Sequence, residues 1–278
     1  SVTWIGQAGG RVLPILLDQP KAYYEEIFAQ TNGILFPGGN QGIDPDDIYT
    51  EVGEILWNLA KQANDQGDYY PIWGTCLGFE ELAVLETGNG DVISLDVMAT
   101  NLALPLRYTP GARKSRLFRS FSSSLLRSLR TQPITFNSHE HGLLVKEYKS
   151  NPALHTFFDM LSYNETPDGQ FFVSTMEARN YPFYGTQWHP EKNNFEWSQN
   201  ADYSNIPHTP NAIEASQATA SFFLSEARKS GHVFPEAQRD KLIYSAKIIY
   251  TGKGDWIYEQ VYVFSPKVGL DLHIDTYR

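Results

Sequence analysis

Apolar positions recur along this chain with two alternating periods. Arg11 to Leu17 is an apolar run of strand type, and Gln19 to Gln30 carries Tyr23, Ile27 and Phe28 at helical spacing. Gly33 to Phe36 is a second strand. From Tyr49 to Asn64, Val52, Ile55, Leu56, Leu59, Ala60 and Ala63 recur every three to four residues, which predicts a helix. A strand over Tyr69 to Trp73 and a helix over Leu77 to Thr87 follow. Strands alternating with helices predict an α/β fold, a doubly wound, mostly parallel sheet covered by helices on both faces. Between about residues 91 and 180 the pattern changes to shorter strands, around Val92, Leu104, Ile134, Leu143 and Phe171, joined by polar loops. Phe183 to Trp188 is aromatic and β-prone. Thr209 caps a helix with Pro210 at its first position, running to Lys229 and stopped by Gly231, with Ile213, Ala220, Phe223, Leu224 and Ala227 inward. In the tail, Ile257, Val261 and Val263 alternate with polar residues as a closing strand would.

With no flexible linker or repeat, residues 1–278 read as one domain. At 41% hydrophobic and 14% aromatic residues, the chain is able to bury one large core. No window approaches eighteen apolar residues, which excludes a membrane-spanning helix. The single cysteine excludes an internal disulfide. No basic cluster points to nucleic acid, so neither nucleic acid nor membrane is expected as a partner. Asn164-Glu165-Thr166 is a glycosylation sequon in a polar loop, a weak sign of the secretory route.

The lone cysteine has an informative setting. Ile72-Trp73-Gly74-Thr75-Cys76-Leu77-Gly78 is an apolar strand, a Gly-x-Cys-x-Gly turn and a helix start, the layout of a nucleophile elbow. Its glycines suit a turn too tight for Cβ atoms, and a helix start favours a thiolate. In Gln187-Trp188-His189-Pro190-Glu191, His189 ends a strand that Pro190 terminates, and Glu191 is able to reach the imidazole. Cys76, His189 and Glu191 thus form a candidate nucleophile, base and orienter. Pro37-Gly38-Gly39 offers free backbone N–H groups. A plain tight turn accounts for it equally well, but beside an elbow Gly39 and Leu77 are candidate oxyanion donors. His139-Glu140-His141 reads either as a polar loop or as a site element. Two histidines without further ligands at matching spacing do not make a metal site, so no metal or other cofactor is expected.

Together Pro37-Gly38-Gly39, Gly74-Thr75-Cys76-Leu77-Gly78-Phe79-Glu80-Glu81-Leu82 and Gln187-Trp188-His189-Pro190-Glu191-Lys192 resemble the class I glutamine amidotransferase superfamily, which has a flavodoxin-like fold. The wording is similar to its γ-glutamyl hydrolase branch, peptidase family C26, over nearly the whole chain. Phe79-Glu80 stands where glutaminase members usually carry Gln. The resemblance implies cysteine-dependent hydrolysis of folate or antifolate poly-γ-glutamates through a thioester. Cys76 would be the nucleophile, His189 the base and Glu191 its partner, with Gly38, Glu80 and His139 at further active-site or substrate-binding positions. It also implies a homodimer and a lysosomal, vacuolar or secreted location. A net charge of −10 opposes a polycarboxylate substrate at neutral pH, less so in an acidic compartment. The family opens with a central strand and most of a helix before the residues seen here, so Ser1 to Gly10 reads as the end of that first helix. The alternatives are a glutaminase that supplies ammonia to a synthetase, and a truncated, catalytically silent binder of folate polyglutamates.

Overall fold

In the computed structural model, which describes residues 1–252 and 256–264, the strands follow in the order β1 (Ile34–Phe36), β2 (Ile72–Thr75), β3 (Ala99–Leu104), β4 (Arg107–Tyr108), β5 (Thr135–His139), β6 (Phe158–Glu165), β7 (Phe171–Ala178), β8 (Phe183–Thr186), β9 (Lys247–Tyr250) and β10 (Gln260–Val263). The central sheet has the order β1-β2-β8-β7-β6-β4. β1, β2 and β8 are parallel, whereas β8, β7, β6 and β4 pair antiparallel. The sheet is therefore mixed, with the parallel portion confined to the first, second and eighth strands. Short connections explain the difference. The turn Pro167-Asp168-Gly169 between β6 and β7 is too brief for a crossover and permits only a hairpin. β3 and β5 form a separate antiparallel ladder, as do β9 and β10.

Helices α1 (Val2–Gln7), α2 (Lys21–Gln30), α3 (Ile48–Asp65), α4 (Leu77–Thr87), α5 (Arg116–Arg119), α6 (Ser123–Thr131), α7 (Val145–Ser150), α8 (Pro152–Phe157) and α9 (Pro210–Ala227) cover both faces of the sheet. Alternation along two parallel strands divides the core between those faces. Ile72 and Phe183 join Tyr24, Trp57 and Phe79 under α2, α3 and α4. Their neighbours Trp73 and Tyr184 join Trp4, Phe118 and Phe223 under α1, α5 and α9. A strand buried on both sides must be apolar at every position, which is why these strands read as continuous hydrophobic runs.

Several sequence expectations shift. Arg11 to Leu17 forms no ladder: Pro14 lacks an N–H, the Leu16 N–H goes to the Tyr23 hydroxyl, and the Val12 carbonyl accepts from Ile243. Tyr24, rather than Tyr23, is the fully buried ring of α2. Val92 lies in a short 3₁₀ turn, and the Leu143 segment contributes only isolated bridges. β6 was not legible, because its buried positions do not alternate cleanly. The tail pairs β10 with β9 in a hairpin of its own instead of closing the main sheet. Asn164 is not in a loop. It lies buried on β6, donating to the Pro105 carbonyl at 2.7 Å and accepting from Ser174 Oγ at 2.6 Å, so the folded chain has no room for a glycan there.

Helix α4 starts hard against the sheet. A Cβ on Gly78 would overlap the carbonyl group of Phe36 in β1, and one on Gly74 would overlap the backbone of Gly78. Backbone on both sides leaves nothing flexible to yield. Gly78→Ala is therefore expected to destabilise the fold by about 3 kcal/mol or more. Denaturant unfolding checks this, and a midpoint within error of the parent would contradict so close an approach.

Candidate active site

Cys76 is the residue between β2 and α4, and its backbone is strained: φ is 53° and ψ −112°, a conformation that L residues rarely adopt. The strand arrives through Cys76 N–H donating to Thr186 O at 2.8 Å, and the helix leaves through Phe79 N–H donating to Cys76 O at 2.9 Å. Local sequence creates this turn because Gly74 and Gly78 let β2 and α4 pass without Cβ atoms between them. The thiol is buried, with Ser138 O 4.0 Å from Sγ.

His189 follows β8 on a segment anchored from three sides. Gln187 Nε2 donates to Glu80 Oε1 at 2.7 Å, Trp188 Nε1 donates to Thr175 Oγ1 at 3.1 Å, and the His189 N–H donates to Phe136 O at 2.8 Å. Its Nδ1 is 2.7 Å from Glu191 Oε1. With Nδ1–H directed at that carboxylate, Nε2 is left as the basic nitrogen. Cys76 and His189 meet across Gly38: a Cβ there would lie 2.8 Å from His189 Cε1 and 3.4 Å from Cys76 Cβ. Gly38 thus lies against both members of this pair, while Gly39 faces the Leu77 side chain.

Burial dominates the electrostatics. It pushes the Cys76 thiol well up, with the carboxylates of Glu80 and Glu191 adding to the rise and the Leu77 N–H and Lys192 opposing it. Burial also lowers the His189 imidazole, against the pull of Glu191. Glu191 itself is held down to about 2: burial opposes ionisation, but the imidazole beside it prevails. Burial is thus the largest influence on the Cys76 thiol, and the Leu77 N–H at the helix start is a smaller, opposing one.

The remaining sequence candidates occupy different depths. Glu80 is buried, 2% exposed, and its carboxyl holds Gln187 rather than facing an opening. His139 ends β5, with Nδ1 donating to His141 O at 2.7 Å and Nε2 buried without a hydrogen-bond partner. Burial depresses it to about 4, so it is neutral and offers a lone pair, suited to an N–H group rather than to a carboxylate. Lys192 was not singled out from sequence. It is 1% exposed, its ammonium has no hydrogen-bond partner, and the rings of Tyr203 and Tyr258 lie 4.9 and 4.5 Å from Nζ. Burial lowers its pKa, chiefly against the attraction of Glu191 and Glu196. Its position next to Glu191 was the available signal. Among the described residues no cluster of three or more His, Cys, Asp or Glu is placed to hold a metal ion.

Glu80 gives a testable pH dependence. Burial raises it to about 7 from an ordinary value of 4.5. Its folded form therefore holds a proton more tightly than the unfolded chain. That contribution is fully present below pH 4.5 and is lost as pH rises to about 7. The stability of the parent relative to Glu80→Gln should fall by about 3 kcal/mol between pH 4.5 and pH 7.5. Parallel denaturation curves at both pH values read this directly, and a constant difference would refute it.

A strained cysteine at a strand-to-helix turn, facing a histidine oriented by a carboxylate, defines an α/β cysteine hydrolase. The chain matches the Peptidase C26 family over residues 1–191 and belongs to it. It is 44% identical to a γ-glutamyl hydrolase of Homo sapiens and 43% identical to one of Mus musculus, each over 95% of this chain and 81% of the relative. γ-Glutamyl hydrolase B of Dictyostelium discoideum is 36% identical over 95% of this chain and 75% of its own.

Proposed function

We propose that this protein hydrolyses γ-glutamyl amide bonds in poly-γ-glutamate conjugates, with folate or antifolate conjugates as its substrates. The observation that carries this reading is the meeting of Cys76 and the His189–Glu191 pair across Gly38. As the sulfur of Cys76 attacks the amide carbon, His189 Nε2 takes the thiol proton and Glu191 stabilises the imidazolium. The Leu77 N–H and the Gly38-Gly39 loop receive the developing oxyanion. His189 then gives the proton to the departing amine nitrogen, leaving a thioester. Water attacks the thioester, its proton passing through His189 back to sulfur, and the acid is released. The buried ammonium of Lys192 supplies a counter-charge for a substrate carboxylate, and His139 Nε2 accepts a substrate N–H.

A base whose pKa burial lowers stays neutral into the acid range. That suits a lysosomal or vacuolar setting, in which an acidic protein and an acidic substrate repel less. The test is incubation with a pteroyl-poly-γ-glutamate at pH 5, with free glutamine as control. Release of glutamate or glutamyl peptides, with little ammonia from glutamine, is the expected result. Release of ammonia in preference to peptide cleavage would overturn it.

A further inference from the structure

The positive charge of this acidic chain is unevenly placed. No Asp or Glu occurs between Asp96 and Glu140, yet this stretch holds seven of the 22 Lys and Arg residues. Four of the seven, Arg107, Arg113, Lys114 and Arg130, line one open cavity of 490 Å³ beside β4. Arg107 has a carboxylate partner, Glu165, at 2.8 Å. Arg113, Lys114 and Arg130 are exposed and have none among the described residues. A cavity of this size with unpaired guanidinium groups is chemically matched to carboxylates, which Arg binds in a planar, two-point fashion.

Strand pairing sets the separation of this cavity from Cys76. Thr75, Thr186, Thr175, Ser162 and Tyr108 form one row across β2, β8, β7, β6 and β4. Four strand spacings of about 4.8 Å put the cavity roughly 19 Å from the nucleophile. The β3–β5 ladder spans the same interval, since Ser138 touches the Cys76 sulfur and Leu104, paired with Thr135, leads to Leu106 at the cavity. Counted along these strands at about 3.3 Å per residue, the interval is roughly 17 Å. One γ-glutamyl unit has five backbone bonds and extends about 6 Å. Three extended units therefore match this straight-line interval in length.

We infer that the basic cavity is a second binding site for the substrate, receiving carboxylates of the poly-γ-glutamate tail about three units from the bond that is cut. This rests on the hydrolase reading above and adds to it a selectivity for long tails. It also gives a protein of net charge −10 a local means of holding a polyanion.

The test compares the parent with a triple variant, Arg113→Gln, Lys114→Gln and Arg130→Gln, on pteroyl-di-γ-glutamate and pteroyl-hepta-γ-glutamate. The variant is expected to lose about tenfold in kcat/KM on the long substrate and to match the parent on the short one. An unchanged rate on the long substrate, or an equal loss on both, overturns the inference. The parent alone provides a second reading. Added salt should weaken cleavage of the long substrate more than the short one, and equal sensitivity would count against the cavity. Binding of a fluorescent poly-γ-glutamate to Cys76→Ala, with and without the three substitutions, separates this inference from the hydrolase reading. If the parent cuts neither substrate, the hydrolase reading fails, while loss of tail binding in the substituted protein still reports on the cavity. Undiminished tail binding overturns the cavity whatever the turnover.

Discussion

Cys76→Ala is expected to lower turnover of a poly-γ-glutamate by about 10⁵-fold while leaving the fold in place. The covalent route vanishes with the sulfur, and a methyl group offers no second nucleophile. Stability should change by about 1 kcal/mol, because one buried atom is removed and alanine tolerates the φ of 53° no worse than cysteine does. Circular dichroism and a denaturation curve would establish that the variant is folded. Single-turnover assays would then measure what remains. Retention of more than a percent of parental activity would remove Cys76 from the chemistry and leave the conjunction with His189 without a purpose.

Glu191→Gln is expected to reduce kcat by about 10² to 10⁴-fold with little change in KM. Glutamine keeps the size but loses the charge that stabilises the imidazolium. The direction of the accompanying pH effect is fixed. Burial already lowers His189 below its ordinary value, and Glu191 is the main influence raising it. Without that carboxylate the imidazole protonates only at still lower pH, so the acid limb of kcat/KM should move down. A purely structural Glu191 would alter stability without moving that limb. An acid limb that stays in place or moves up, or an unchanged kcat, would refute the role. The Lys192 ammonium also loses its chief attraction, so its buried charge becomes less favourable in the same variant.

The residues of the candidate site were unusually legible. Cys76 stood out because a turn between an apolar strand and a helix needs glycine on both sides, and overlap of Gly74 and Gly78 with backbone shows why. Glu191 lies within reach of His189 because two residues after a strand end suffice to bring a carboxylate back, giving the 2.7 Å contact with Nδ1. Lys192 was not legible as a site residue. Its importance depends on burial and on the rings of Tyr203 and Tyr258, eleven and 66 residues away in sequence, which no local pattern brings together. The effect of burial on the titrating groups was equally hidden. Local reasoning placed Cys76 at a helix start, which favours a thiolate, whereas the opposing influence of burial comes from the surrounding layers.

The middle of the chain marks the same boundary. β6 was missed because its two faces are not cleanly divided between core and solvent, and the sequon at Asn164 looked like a loop because polar residues surround it. Only pairing with β7 and β4 turns that segment inward and ties the Asn164 amide to Pro105 and Ser174. By itself, then, the sequence determined the α/β class, the parallel strands buried on both faces, the elbow at Cys76 and the reach of Glu191 to His189. All of these follow from periodicity and from contacts a few residues apart. The mixed sheet, the burial of the Cys76 thiol and the His189 imidazole, the burial of Lys192 and the cavity of Arg113, Lys114 and Arg130 came only from the tertiary structure. Each depends on segments distant in sequence whose meeting is decided by strand pairing and packing.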